Sequence, residues 1–256
     1  MKLEHNKYKC FIIHLQRAVK RKKTVQSIIS NIKFESKVIN AIDGKKLSSN
    51  EISKYVSSKN LHYPNYPFKI NTGEIGCFLS HRVAWQKIVT EKLDAGLIIE
   101  DDCKINFEEF NKSFEVAIQL IKKLGYIQFQ TRDMSNNKKE IFNKNGIKIF
   151  HPNTVPLRTA AQLISYDTAL SLLKHSEKID RPVDGFLQLF WLTGQNISCI
   201  HPSGISDLSS VLGGSTLSIK KSKKSFIIRT FLRFIYRFKI KMFSKNFQNK
   251  LPKDIL

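Results

Sequence analysis

A short apolar run that ends in three consecutive acidic residues constrains the fold of this chain more than any other feature. The apolar residues 97–99 are followed directly by Glu100, Asp101 and Asp102. A strand that delivers carboxylates at its end is typical of an α/β sheet, in which ligands bind at the carboxyl edge. Oxygen-only ligands suit a hard divalent cation. These residues therefore predict a Mn²⁺ or Mg²⁺ site at that edge, with an ordinary charged turn as the alternative.

The order of apolar patterns along the chain favours an α/β domain. Residues 10–15 predict a strand, 17–32 an amphipathic helix and 37–42 a second strand, which together give a β-α-β opening. We expect a mostly parallel central sheet flanked by helices. The other predicted elements are helices at 73–92 (with Thr72 as N-cap), 107–123, 167–175 and 184–192, strands at 95–99, 126–131, 159–165 and 197–201, a short helix and loop at 47–66, and loops at 133–145 (with a hairpin possible around Gly146) and 203–218.

Composition limits the classes of protein that the chain can represent. Its 256 residues suffice for one α/β domain with an appendage. The formal charge of +22 favours anionic partners such as phosphates, nucleic acid or an acidic membrane surface. The four cysteines form no C-x-x-C pair, and we interpret them as buried reduced thiols of a reducing compartment. The sequence shows no signal-peptide pattern at its start and no apolar stretch long enough to span a bilayer.

The last part of the chain has a composition of its own. No acidic residue lies between Asp207 and Asp254, and Arg229, Arg233, Arg237 and Lys241 recur at i, i+4 spacing among many large apolar residues. We predict that residues 1–218 form the catalytic domain and that 219–256 form a basic amphipathic helical tail. Such a helix is typical of an element that lies on an anionic membrane surface. A helix packed on the core with a solvated basic face is the alternative.

Residues 73–81 place polar groups on an otherwise apolar helix. Ser80 and His81 are candidates to bond a diphosphate or ribose, and Gly76 permits a close backbone approach. A helix start with Glu74 as a capping acid and a satisfied histidine is the alternative interpretation.

The order of several motifs resembles glycosyltransferase family 25, the lipooligosaccharide galactosyltransferase family. The segment 73–81, Gly-Glu-Ile-Gly-Cys-Phe-Leu-Ser-His, and the acidic residues 100–102 are similar to the family's elements at a specific spacing. Weaker similarities are the opening 11–17, the Ala-Ile-Asp-Gly element at 41–44, the Thr-Ala element at 159–165 and the Val-Asp element at 183–187. One departure stands out, because His14-Leu15-Gln16 replaces the usual Asn-Leu-Asp of the family.

The resemblance implies a GT-A-like fold and a nucleotide-sugar donor, with UDP-galactose expected. It implies that Asp102 is the direct metal ligand, while His201 after the last strand is either a further ligand or an ordinary surface histidine. The residues expected around the donor are Arg17, Arg21, Asp43, Glu74, Ser80, His81, Glu100 and Asp101. Asp184 is the candidate general base of an inverting reaction, with a helix N-cap as its alternative role, and His81 is a second candidate.

The acceptor implied by the resemblance is a lipid-linked oligosaccharide. We therefore expect a cytoplasmic enzyme that sits peripherally on the cytoplasmic face of a bacterial inner membrane, with no nucleic-acid partner. Two alternatives follow from the sequence. A nucleic-acid-binding protein would explain the charge, although no zinc-knuckle, RNP or P-loop pattern is found. A relative with altered donor use or without activity would explain the change at Gln16.

Overall fold

The computed structural model describes residues 7–132, 138–207 and 223–248, and an eight-stranded sheet forms its centre. The strands are β1 (Tyr8–His14), β2 (Ser36–Asn40), β3 (Ala95–Glu100), β4 (Cys103–Ile105), β5 (Tyr126–Phe129), β6 (Lys138–Lys144), β7 (Ile147–Pro152), β8 (Ala161–Ser165), β9 (Ile197–His201) and β10 (Ile205–Asp207). The central order is β2-β1-β3-β8-β5-β9-β7-β6, and only β7 and β8 run against the other strands of this sheet. The predicted mostly parallel α/β sheet is confirmed.

Helices cover both faces of the sheet. They are α1 (Lys22–Asn31), α2 (Ser49–Tyr55), α3 (Thr72–Thr90), α4 (Phe107–Leu124), α5 (Tyr166–His175), α6 (Val183–Leu187), α7 (Phe190–Thr193) and α8 (Lys223–Gln248). Side chains alternate along β1, so Cys10 and Ile12 pack with α1 and α4, whereas Phe11 and Ile13 pack with α3, α5 and α6. Both faces of β1 are therefore buried, as its continuous apolar sequence predicts.

Two predicted helix boundaries are wrong in detail. Asn71, not Thr72, is the N-cap of α3: its side chain accepts the Glu74 N–H, and the Glu74 carboxylate accepts the Asn71 N–H. The helix predicted at 184–192 is divided into α6 and α7. The division lies at Leu189, whose ψ of 44° is not helical.

The polar segment predicted as a loop at 133–145 contains a strand over its described part. Residues 138–144 form β6, which pairs with β7 across a tight turn at Asn145 and Gly146, both with positive φ. The hairpin anticipated around Gly146 is thus confirmed, while residues 133–137 lie outside the described part of the chain. The predicted loop at 203–218 begins with β10, which pairs with β4, and residues 208–218 are also outside the described part.

Helix α8 packs along the domain through one face. Tyr236 and Ile240 are buried against Leu189. The fully buried Arg181 forms an ion pair with Asp180 at 2.7 Å and donates to the Tyr236 hydroxyl at 3.1 Å. These contacts join α8 to the segments on both sides of α6.

No helix within the described ranges is both long and apolar enough to cross a membrane. The proposed division between residues 1–218 and 219–256 stays a prediction.

Candidate active site

The ends of two parallel strands define one edge of the sheet. β1 and β3 are neighbours with Ile13 opposite Glu100, so the residues that follow both strands meet there. A cavity of about 470 Å³ opens at this edge, between the strand ends, α3, α6 and α8. Every residue predicted for the site lines it except His201. His201 lies at the end of β9, opposite Lys148 of β7, so the structure does not bring it to the acidic cluster.

Asp101 is held by groups of the protein itself. It is buried, and its carboxylate accepts hydrogen bonds from His14 Nδ1 at 2.7 Å, from the Leu15 N–H at 3.2 Å and from an Arg21 guanidinium N–H at 2.6 Å. A buried carboxylate with this many partners is satisfied without a ligand. Asp101 therefore fixes the strand end and the position of Arg21, and His14 performs a structural task at a position where the family usually has Asn.

The negative charge of Asp102 is balanced by fewer neighbouring groups than that of Asp101. The Arg21 guanidinium lies 3.3 Å from its carboxylate. Burial nevertheless raises the pKa of Asp102 to about 6, and the negative charge of Glu100 adds to this rise. A carboxylate crowded by other carboxylates favours binding of a cation, which supports the prediction that Asp102 is the metal ligand.

Glu100 belongs to a buried chain of hydrogen bonds. Its carboxylate accepts from Thr159 and lies 2.9 Å from His81 Nε2, while Gln162 Nε2 lies 2.9 Å from His81 Nδ1. The Tyr126 hydroxyl bonds the Gln162 carbonyl oxygen, which directs the amide of Gln162 as a donor to His81. Burial opposes ionisation of Glu100, but the hydrogen bond with His81, together with the Thr159 hydrogen bond and the charge of Arg21, outweighs it and lowers the pKa of Glu100.

Both ring nitrogens of His81 are thus occupied inside the protein. This arrangement favours a positioning role for His81 over its predicted role as a second general base.

Cys77, one turn earlier on α3, brings its sulfur within 4.8 Å of the His81 and Glu100 ligand atoms. The spacing Cys-x-x-x-His in the sequence is a signal for a possible metal pair, and it was not among the predictions. A sulfur, nitrogen and oxygen set suits Zn²⁺ better than Mn²⁺ or Mg²⁺.

Two glycines explain how α3 reaches the site. A Cβ at Gly76 would lie 2.4 Å from the Ile42 carbonyl oxygen and 2.7 Å from the Gly44 nitrogen, and a Cβ at Gly44 would lie 1.7 Å from the Thr72 carbonyl oxygen. The close approach predicted for Gly76 is therefore made to another backbone segment. Ser80 reinforces it, because its hydroxyl accepts the Ile42 N–H at 2.8 Å and donates to the Gly76 carbonyl at 2.6 Å.

The close packing of α3 against the 42–44 segment places Asp43 and Arg17 at the cavity. The Arg17 Nε donates to the Asp43 carboxylate at 2.7 Å, and the Lys45 N–H donates to it at 3.2 Å. Burial works against ionisation of Asp43, but these bonds outweigh it and lower the pKa of Asp43. Glu74 lines the cavity as the capping acid of α3, which is the alternative role considered for it.

Asp184 faces the cavity from the first turn of α6. The helix is capped at Pro182, so Asp184 is not the N-cap considered as its alternative role. Burial raises the pKa of Asp184; the Gly185 N–H opposes the rise, and the charge of Glu100 adds to it. Nearby, Arg158 lines the cavity with a positive φ of 92° and forms an ion pair with Asp207. A non-glycine residue in this conformation is strained, and such strain concentrates at functional sites.

Sequence reasoning missed the part of the cavity wall that α8 provides. Arg233, Tyr236 and Arg237 line the cavity, next to the aromatic residues Tyr66 and Phe68. The two arginines were predicted to belong to a lipid-facing stripe. Their i, i+4 spacing showed a common face but not what that face contacts.

Comparison with known proteins defines the family. The sequence profile described as glycosyltransferase family 25 (LPS biosynthesis protein) matches residues 7–187. The chain belongs to glycosyltransferase family 25. The predicted motifs, from the first strand to the Val-Asp element of α6, all lie within this match. Family membership and the observed topology together confirm the expected GT-A-like α/β fold.

Relatives of this family 25 protein differ in what they are described to do. A glycosyltransferase 25 family member of Drosophila melanogaster is 30% identical over 71% of this chain and 30% of its own length. Human procollagen galactosyltransferase 2 is 31% identical over 52% of this chain and 22% of its own. Mouse inactive glycosyltransferase 25 family member 3 is 28% identical over 71% and 31%, respectively. The chain thus spans less than a third of the length of these relatives.

Solved structures give a remote likeness. A glycosyltransferase involved in the glycosylation of the major capsid of PBCV-1 aligns with a TM-score of 0.36 at 13% identity, over 65% of this chain and 63% of that one.

Proposed function

We propose that this protein transfers a hexose, galactose being the expected sugar, from a UDP-sugar to a hydroxyl group of a lipooligosaccharide acceptor. The observation that supports this most is the buried carboxylate of Asp102 beside Arg21, in a cavity that Asp184 also lines. The names of the galactosyltransferase relatives support the choice of sugar.

The carboxylate of Asp102, unlike the Cys77, His81 and Glu100 set, fits a hard divalent cation. Asp102 would hold Mn²⁺ or Mg²⁺ through oxygen, because Asp101 is already committed to His14 and Arg21. When bound, the ion neutralises the charge that develops on the leaving diphosphate. Arg17 and Arg21 line the same part of the cavity and are suited to bind phosphate oxygens through their guanidinium groups.

Asp184 is the proposed general base. The acceptor hydroxyl oxygen forms a bond to the anomeric carbon while the bond from that carbon to the diphosphate breaks, and the hydroxyl proton passes to the Asp184 carboxylate. A base works best when its pKa approaches the working pH, and burial moves the pKa of Asp184 in that direction. Attack opposite to the leaving group inverts the anomeric centre.

A donor and acceptor screen with Mn²⁺ tests the proposal. Asp102→Asn should reduce galactose transfer from UDP-galactose by on the order of 100-fold or more, since it removes the charged metal ligand. Asp167→Asn is the matched control, because Asp167 is exposed in the first turn of α5 and does not line the cavity. Normal transfer by Asp102→Asn would contradict the assigned role, and transfer from another sugar nucleotide alone would overturn the choice of donor.

A relative that binds the donor without transferring it is the second candidate. The family contains a member described as inactive, and His14 and Gln16 of this chain depart from the usual motif. Calorimetric titration with UDP and Mn²⁺ separates the two candidates. Binding that depends on Asp102, with no turnover of any sugar nucleotide, would favour the inactive relative.

A further inference from the structure

Helix α8 has a second face that no described part of the domain covers. Directly opposite the buried Tyr236 and Ile240, apolar residues recur at helical spacing and point to solvent. They are Ile227, Phe231, Phe234, Phe238 and Met242, with exposed fractions of 70, 64, 68, 57 and 48%. We call these five residues the outer stripe. They expose roughly 600 Å² if a large apolar side chain carries about 200 Å², an area at which an apolar patch marks an interaction site.

Basic residues accompany the C-terminal half of the outer stripe. Lys241 and Lys245 lie on this side of the helix at i, i+4 spacing, whereas Arg233 and Arg237 line the cavity. The sequence of α8 contains no acidic residue. A second copy of this chain, itself strongly basic, would bring like charges together, whereas an anionic lipid surface is complementary to both the apolar and the charged parts.

We infer that the outer stripe of α8 docks on an anionic lipid bilayer, with the phenylalanine rings entering the interface and the flanking cations contacting the headgroups. This differs from the sequence prediction in the residues that carry the contact. Arg229 lies 4.5 Å and Arg233 6.0 Å from the ring of Phe68, so this end of the arginine stripe turns toward the domain. Phe231, Phe234 and Phe238 are the aromatic residues that face outward.

Docking through this face also brings the cavity close to the bilayer. Arg233, Tyr236 and Arg237 line the cavity from the same helix whose outer stripe contacts the lipid. The cavity therefore lies about one helix diameter, roughly 10 Å, from the docked face, near an acceptor that a lipid anchors there. This consequence rests on the proposed function, whereas the docking itself does not.

Vesicle flotation with the full chain tests the inference. Binding should be strong on vesicles of phosphatidylcholine with phosphatidylglycerol, weak on phosphatidylcholine alone and reduced by salt. Replacing Phe231, Phe234 and Phe238 together by Ser should lower vesicle affinity at least about 100-fold while leaving the melting temperature unchanged, because the three rings are exposed. The double change Lys241→Gln and Lys245→Gln should lower the affinity at least about 10-fold.

Two control variants separate loss of vesicle binding from other effects of a substitution. Leu170→Ser removes an exposed apolar residue from α5 and should leave vesicle binding intact. Asp102→Asn should bind vesicles like the wild type, so loss of transfer and loss of docking are separate outcomes. The inference is overturned if the serine variant still floats with anionic vesicles. It is also overturned if the wild type does not bind vesicles. This holds if the wild type binds duplex DNA instead, and it holds if the wild type forms a dimer that the serine substitutions dissociate.

Discussion

Replacing Gly76 by Ala tests whether the contact between α3 and the 42–44 segment positions the site. A Cβ at Gly76 would meet two backbone atoms, the Ile42 carbonyl oxygen at 2.4 Å and the Gly44 nitrogen at 2.7 Å. Both distances are well inside van der Waals contact. Since backbone atoms cannot rotate away as the end of a side chain can, α3 or the facing segment has to move.

The expected loss of stability follows from two opposed effects. Alanine is favoured over glycine inside a helix by about 1 kcal/mol. Overpacking of a tight contact typically costs about 1–3 kcal/mol and sometimes more, and a clash with two fixed backbone atoms belongs at the upper end. We expect Gly76→Ala to lower the free energy of unfolding by about 2 kcal/mol net, which corresponds to a fall in Tm of roughly 4–8 °C for a chain of this size.

Thermal and urea unfolding followed by circular dichroism measure this difference. Gly185→Ala is the matched control, because the nearest atoms to its added Cβ are 3.9 Å away. That change should leave stability unaltered or raise it by up to about 1 kcal/mol. If Gly76→Ala is as stable as the wild type, the interlock of α3 with the 42–44 segment does not constrain the fold as argued.

Three further predictions concern α8, the base and the metal. Tyr236→Phe should lower the unfolding free energy by about 1–2 kcal/mol in urea, because a buried Arg181 N–H loses its acceptor; an unchanged midpoint would show that the bond contributes nothing. The transfer rate should fall as the pH drops through the pKa of Asp184, which lies above the ordinary value of an aspartate, because the base acts only when ionised; a rate profile that keeps this limb in Asp184→Asn would assign it to another group. Chelation with EDTA should abolish transfer, and Mn²⁺ should restore it in the wild type but not in Asp102→Asn; full activity in EDTA would refute metal dependence.

The sequence allowed the strand-end position of the acidic cluster to be predicted, because that prediction depends only on local pattern. An apolar run followed by acids is a strand that ends in carboxylates, and β3 has this form. The different tasks of Asp101 and Asp102 were not predictable in the same way. They depend on His14 and Arg21, which come from a part of the chain more than 75 residues earlier and meet the cluster only through the pairing of β1 with β3.

The faces of α8 show a similar limit. Periodicity predicts which residues of a helix lie together, but not which neighbour each face meets. Tyr236 is buried because Arg181 and Leu189 lie beneath it, and neither contact leaves a trace in the sequence of α8. The split of the predicted helix 184–192 is of the same kind, since every residue around Leu189 is compatible with a continuous helix.

The charge of the cavity is consistent with the proposed metal and the donor. Among the residues that the structure describes, seven carboxyl groups line the cavity against five guanidinium groups, a formal excess of negative charge inside a chain of net charge +22. Concentration of a third of the 21 acidic residues in one cavity costs electrostatic energy, and the charge of Glu100 adds to the rise that burial causes in the pKa of Asp102. A divalent cation removes that excess. The guanidinium groups around the cavity then attract a diphosphate. In the proposed function the carboxylates therefore bind the cation, and the arginines bind the diphosphate in the same cavity.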